Sequence, residues 1–365
     1  MSESTAETGA VPTRTGVGPT AIGAQDTVSA PTPSGEFVAP DPIFQIASGF
    51  MAAKHLFVAD EVGVFAGLAK GPRTLDELAK HTGVAQHRLR ILADAMVALG
   101  LLQRQGEQYQ NGSVAAAYLG GDAATATDLR PFLRFWDRLS YPMWTRFAEA
   151  VRTGRGQSPP QLSEDEQRLY SEGVEAIQAA PAHALPATYD FSHHERLLDL
   201  GGGTGSWLLA VLLHYGHLRT TLFELPGAAA LARERLADTD PLTRRVEVVD
   251  GHFFHDPLPT GHDAVLIANV IHLFSPDHNK DLLRRARASV ANGARLLLAD
   301  FWTNPTHTDP AFAALMAGEF LVITGEGDVY SAQEVKDWLD QTGWRFIDHK
   351  PLAGPMSLII AEAVG

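Results

Sequence analysis

Leu197-Leu198-Asp199-Leu200-Gly201-Gly202-Gly203-Thr204-Gly205-Ser206 is the stretch whose reading decides the fold. An apolar strand runs into a tight glycine turn, and a helix begins near Trp207. Glycines at such a turn permit positive φ and let a ligand lie against bare backbone. A dinucleotide fingerprint spaces its glycines as G-x-G-x-x-G. Here Ser206 stands where the third glycine would be, and the G-K-[ST] of a phosphate loop is absent. The next strand ends in Glu224, 21 residues beyond Gly203. A carboxylate so placed suits the hydroxyls of a ribose. Strand, glycine loop, helix, strand and acid together imply a nucleoside ligand with no diphosphate to cradle. Asp199, Gly201, Gly203 and Glu224 are its candidate contacts.

Outward from this loop, short runs rich in Leu, Val and Ile alternate with helical stretches. The runs are 196–200, 220–225, 245–249, 263–269, 295–300, 345–350 and 357–363. Near-continuous apolar strands separated by helices predict a parallel sheet covered on both faces. Only 351–356 separates the last two, too short for a crossover, so they must pair as an antiparallel hairpin. The expected class is α/β: a doubly wound seven-stranded sheet, five parallel strands plus a terminal antiparallel hairpin, over residues 191–365.

Residues 37–190 read as mostly helical. Thr74 with Glu77 forms a capping box, Leu75, Leu78 and Ala79 follow in helical spacing, and Thr82-Gly83 interrupts. A second helix runs to Gly100, and 101–112 looks like a short hairpin ending at Asn111-Gly112. Helix-turn-helix plus hairpin is a winged-helix pattern. The second helix offers only His87, Arg88 and Arg90 as polar cations, poor equipment for reading DNA. Ile43 to Leu68 is apolar on more than one face, which points to a homodimer contact. Phe135 and Trp136 with Arg138 form an aromatic, cationic cluster suited to a small-molecule pocket. Residues 173–187 read as a helix limited by Pro181 and Pro186.

The 365 residues carry a net charge of −14 and no cysteine. Two domains fit that length, since single cores stop growing at roughly 250–300 residues. The acidity argues against sequence-independent nucleic-acid binding. The missing cysteines exclude disulfides, thiolate metal sites and cysteine nucleophiles. No stretch nears the roughly 20 apolar residues of a membrane span. Residues 1–36 are rich in Thr, Ser, Gly, Pro and Ala without an apolar segment, and read as a disordered tail rather than a secretory signal. A cytoplasmic location agrees with all of this.

From about residue 42 to 363 the chain resembles the small-molecule O-methyltransferases that join an N-terminal winged-helix dimerisation domain to a class I methyltransferase domain. LDLGGGTG is similar to that family's first cofactor motif and FELPG to its acidic ribose motif. DGHFFHDPLP resembles the adenine-side motif and ANVIHLFSPDHNKDLL the segment bearing the catalytic histidine, while RLLLAD and GDVYSAQEVKDWLDQTGW match its closing elements. The resemblance implies S-adenosylmethionine as cofactor, with Asp250, His252 and Phe253 on its adenine side. It implies His272 as base and a supporting carboxylate before Tyr330, for which Asp328 is the nearest match and Glu319 and Glu326 are alternatives. Two positions depart from the pattern: Gly251 is followed by His252 rather than Asp, and His272 by Leu273-Phe274 rather than Asp-Trp.

A sulfonium donor needs its acceptor brought in line and deprotonated, and a histidine with a free pKa near 6.5 suits the second task. His272 follows the fourth strand, at the edge where open α/β sheets bind ligands. Phe135, Trp136, Arg138 and Glu319 are the candidate acceptor contacts. The expected reaction is O-methylation of a hydroxylated natural-product intermediate. C-methylation beside the carbonyl of an α-keto acid, with an arginine of the Arg134/Arg138 cluster on the carboxylate, is the alternative, and a cofactor-sensing regulator is the third. No metal site is expected, although five histidines fall between His252 and His278.

Overall fold

The computed structural model describes residues 38–121, 127–159, 162–237 and 241–365. The tail read over 1–36 lies outside the described residues. The N-terminal lobe begins with α1 (Asp41–Glu61) and α2 (Val64–Gly67). Strand β1 (Arg73–Thr74), helices α3 (Leu75–Thr82) and α4 (Gln86–Ala98), and strands β2 (Leu102–Gln105) and β3 (Gln108–Asn111) follow. Thr74 caps α3 in a full capping box, and Gly83 ends it in the left-handed conformation. The three strands form one small sheet in the order β1-β3-β2. The hairpin turns at Gly106, which takes φ +61. Asn111-Gly112, expected to close the hairpin, instead ends β3 and starts α5 (Ser113–Tyr118).

Helices α6 (Arg130–Phe135), α7 (Tyr141–Trp144) and α8 (Phe147–Thr153) lead to α9 (Glu164–Thr188), with a single π-turn at Trp136–Ser140 between α6 and α7. Helix α9 runs through both of its prolines, where an earlier stop was expected. An internal proline costs a helix about 3 kcal/mol. Pro181 and Pro186 are buried, and their neighbours Ala182 and Leu185 belong to the core of the sheet domain. That burial offsets the lost hydrogen bonds.

The sheet comprises β4 (Arg196–Leu200), β5 (Arg219–Glu224), β6 (Val246–Asp250), β7 (His262–Ala268), β8 (Val290–Asp300), β9 (Trp344–Pro351) and β10 (Ser357–Ala363). Their order is β6-β5-β4-β7-β8-β10-β9. Strands β4 to β8 are parallel, and β10 lies antiparallel between β8 and β9. Successive strand residues point to opposite faces, which makes two cores. Leu197, Leu222, Leu266 and Leu297 pack beneath α9, α10 (Ser206–His214), α11 (Pro226–Leu236) and α13 (Ala311–Thr324). Leu198, Phe223, Val265 and Leu296 pack against α12 (Pro276–Ala288) and α14 (Ala332–Gln341). Strand order reverses between β4 and β7, so the crevice at their carboxyl ends is where a ligand fits. No helix among the described residues is long and apolar enough to cross a membrane.

Helix α9 crosses α6 at Gly173, where a Cβ would collide with the Cβ of Phe135. Glycine to alanine inside a helix ordinarily gains about 1 kcal/mol. Overpacking of this kind costs about 1–3 kcal/mol. Gly173→Ala is therefore expected to lower the urea midpoint. A midpoint at or above wild type would show that α6 and α9 are not in tight contact.

Candidate active site

A cavity of about 540 Å³ opens at the switch point. The glycine loop forms its floor, with Gly201, Gly203 and Gly205 at φ +76, +58 and +89. A Cβ at Gly203 would meet nothing within 4 Å, so this backbone faces open space that a ligand can fill. Glu224, at the end of β5, accepts from Gly203 N at 2.9 Å and Leu225 N at 2.7 Å. Burial raises its carboxyl above the ordinary value, and those two backbone donors oppose the rise. His252, Phe253, Asn269 and Val270 form one wall, and Tyr170, Val174 and Gln178 of α9 form another. The donor set, an acidic strand end beside exposed glycine backbone and aromatic walls, fits a nucleoside cofactor.

Asp199 and Asp250 stand elsewhere than expected. Asp199 is fully buried beneath the loop, where a Cβ on Gly202 would collide with its carboxylate. Neither of its oxygens has a partner among the described residues, and burial followed by the nearby Glu224 pushes its carboxyl well above the usual range. It therefore lies behind the loop rather than lining the cavity. Asp250 is exposed and ion-paired with Arg233 of α11. Arg233 also donates to Val248 O, so the pair ties α11 to β6 and turns Asp250 away from the cleft. His252 and Phe253, from the same motif, line the cavity.

His272 sits in the turn Ile271–Leu273 after β7 and is 6% exposed. Its Nδ1 lies 2.6 Å from Asp300 Oδ1. Its ring stacks on Phe320, with centroids 3.6 Å apart. Asp300 ends β8, the parallel neighbour of β7, and also accepts from Phe301 N. Asp328 was the carboxylate expected here, and the structure puts Asp300 in that contact. Asp328 N donates to the backbone oxygen of His272 at 3.0 Å, while its carboxylate accepts from Val329 N. Burial raises that carboxyl too. Glu326 pairs with His278 at 3.0 Å. The signal for Asp300 was an acid closing the strand beside the histidine's own. Tyr170 was missed because its helix was read as starting later.

Phe135 is buried edge-on against Tyr170, with centroids 5.4 Å apart. The two help to line a small side cavity of about 50 Å³. Trp136 packs on Phe132 between the two lobes' cores and reaches neither cavity. Arg138 is turned outward and pairs with Glu61 at 3.3 Å, and Arg134 lies 3.9 Å from Asp60. Both were the arginines on which the keto-acid alternative rested. Glu319 is 4% exposed and accepts from Ser140 Oγ at 2.8 Å and from Trp144 Nε1, bridging the lobes. Its Oε1 has no partner among the described residues. Those residues contain no group of three or more His, Asp or Glu arranged to hold a metal ion.

The chain belongs to the O-methyltransferases: the model of the O-methyltransferase domain matches residues 144–345, and that of the O-methyltransferase dimerisation domain matches 44–121. It is 33% identical to a 3-hydroxy-5-methyl-1-naphthoate 3-O-methyltransferase of Streptomyces sahachiroi, over 83% of this chain and 89% of that one. It is 30% identical to the tetracenomycin polyketide synthesis 8-O-methyl transferase of Streptomyces glaucescens, over 91% and 99%. The crystal structure of human N-acetylserotonin methyltransferase in complex with S-adenosylmethionine matches with a TM-score of 0.81 at 26% identity, covering 92% of this chain and all of that one. The protein is thus an S-adenosylmethionine-dependent O-methyltransferase of secondary-metabolite type.

Burial raises the Glu319 carboxyl above its ordinary value of 4.5, against the hydrogen bonds from Ser140 and Trp144. The folded state therefore holds this proton more tightly than the unfolded chain. Its contribution to stability is full at low pH and falls as pH rises above about 4.5. In Glu319→Gln the amide reproduces the protonated acid. Denaturation series at pH 5 and pH 8 should show a smaller loss of stability in the variant than in wild type. Equal losses would assign the pH dependence to other groups.

Proposed function

We propose that the protein methylates a hydroxyl of an aromatic natural-product intermediate, with His272 as general base. The 2.6 Å contact between His272 Nδ1 and Asp300 carries this reading. When bound, S-adenosylmethionine supplies an electrophilic methyl group. Asp300 accepts the Nδ1 proton and so selects the tautomer whose Nε2 lone pair is available. Among the described residues Nε2 has no hydrogen-bond partner. Phe320 fixes the ring plane, and Asp328 holds the backbone of the same turn. Nε2 then takes the acceptor's hydroxyl proton as the oxygen attacks. Gly201, Gly203 and Glu224 hold the cofactor, with His252 and Phe253 at its base. Phe135, Tyr170 and Glu319 face the acceptor side. The aromatic substrates named for the naphthoate and tetracenomycin relatives support an aromatic acceptor, and the family match favours oxygen over a keto-acid carbon.

The division of labour falls near residue 190, with 37–190 serving dimerisation and the lid over the acceptor and 191–365 serving the cofactor, in a cytoplasmic homodimer. Helix α1 supports the dimer: Ile43, Phe44, Ile46, Phe50 and Met51 are all more than half exposed. So large an apolar face calls for a cover.

Two variants separate binding from chemistry. His272→Ala should keep wild-type cofactor affinity in calorimetry yet lose roughly 10²–10⁴-fold in turnover. Asp300→Asn should depress turnover without altering cofactor affinity. Glu224→Ala should do the reverse and lose cofactor affinity first. Wild-type turnover in His272→Ala would remove the residue from the chemistry.

The dimer is checked by sedimentation. Wild type is expected to run at twice the chain mass at micromolar concentration, and the pair Phe44→Asp and Ile46→Asp to run as a monomer. A monomeric wild type would refute the arrangement.

A further inference from the structure

A second cavity, of about 530 Å³, lies at the opposite, amino-terminal edge of the sheet. Arg196 opens β4 and Arg219 opens β5, and the two are register partners. Thr220 partners Val246, so Arg219 stands beside Arg245. Neighbouring strands lie about 4.8 Å apart, and residues in parallel register face the same side. Arg196 and Arg219 thus share a face of the sheet, and Arg245, the last residue of the 3₁₀ turn that leads into β6, continues the row, with Arg244 and His217 also lining the cavity. Like charges placed side by side on a sheet are destabilising.

Among the described residues none of the four arginines is ion-paired, and Glu247 is the one carboxylate in the lining. Elsewhere in the sheet domain Arg233, Arg235, Arg295 and Arg345 each pair with a carboxylate. The positive field reaches inward: His262, bonded to Thr221 Oγ1 at 2.9 Å, is held below its ordinary pKa by burial and then by the charge of Arg196. An acidic chain has therefore gathered unneutralised guanidinium groups around one concavity.

We propose that this cavity binds a small phosphate-bearing anion. Guanidinium forks match phosphate oxygens two at a time, and an anion spanning the row would neutralise the repulsion within it. The volume falls within the roughly 300–1,000 Å³ typical of small-ligand sites. A net charge of −14 disfavours a long polyanion, which would have to lie along the acidic surface around the patch. The site is remote from His272 and independent of the methyl-transfer reading.

The test is calorimetry on the full chain with inorganic tripolyphosphate as probe, in wild type and in the double variant Arg219→Gln with Arg245→Gln. Wild type is expected to bind one equivalent saturably, more weakly as salt rises, and the double variant at least ~10-fold more weakly. Thermal midpoint and S-adenosylmethionine affinity should be unchanged or improved in the variant, since it removes repulsion and leaves the cofactor cavity intact. Absence of saturation at about ten millimolar probe in low salt, where surface attraction is at its strongest, would overturn the proposal. Equal affinity in the variant would do the same. A single-stranded oligonucleotide that displaces tripolyphosphate at equal phosphate concentration would overturn it in favour of a nucleic-acid surface.

Discussion

The architecture depends on one helix belonging to two lobes. Helix α9 packs against α6 at its Gly173 turn, and its last turns enter the core beneath the sheet through Ala182 and Leu185. Its cleft-facing side supplies the half-buried Tyr170, Val174 and Gln178 to the cavity wall. It is tied to the glycine loop by Glu175 with Thr204, to α11 by Glu175 with Arg235, and to α10 by Gln178 with Trp207. A rod anchored in both lobes sets the distance between the N-terminal lobe and the sheet, and so the depth of the cleft.

Within that frame the chemistry is a matter of strand ends. Parallel strands deliver their carboxyl termini to one edge. Pairing of β7 with β8 brings His272 and Asp300 within hydrogen-bond reach although 28 residues separate them. Pairing of β4 with β5 does the same for the glycine loop and Glu224. The sheet thus sets both contacts by register, each using a buried or half-buried acid.

Much of this was legible from the chain alone. Strands buried on both faces must be apolar almost throughout, so the runs of the inner strands stand out, and the short link before Ser357 dictates the antiparallel hairpin. The losses have physical causes. Arg138 and Trp136 were assigned to the pocket by composition, as part of an aromatic, cationic cluster, and composition does not show which way each side chain turns within the five-residue π-turn at Trp136–Ser140. Asp250 was placed by motif, and its ion pair with a helix from the neighbouring crossover is invisible to local reading. Asp300 was quoted within a closing motif without a role, because only strand order reveals which strand ends beside His272. Proline was read as a helix terminator at positions 181 and 186, where tertiary burial overrides local preference.

The continuity of α9 also governs how such an enzyme can be recombined. An exchange of lids between relatives that cuts inside 164–188 would mate half of one rod with half of another. The foreign half would bring its own phase at the Gly173 crossing and its own partners for Thr204 and Trp207. A cut in the short connection between Thr188 and Arg196 leaves the rod whole, but transplants one complete cavity wall together with the lid. The unit that passes intact in such an exchange is therefore the N-terminal lobe plus the entire helix, and any exchange of that lobe carries part of the cleft wall with it.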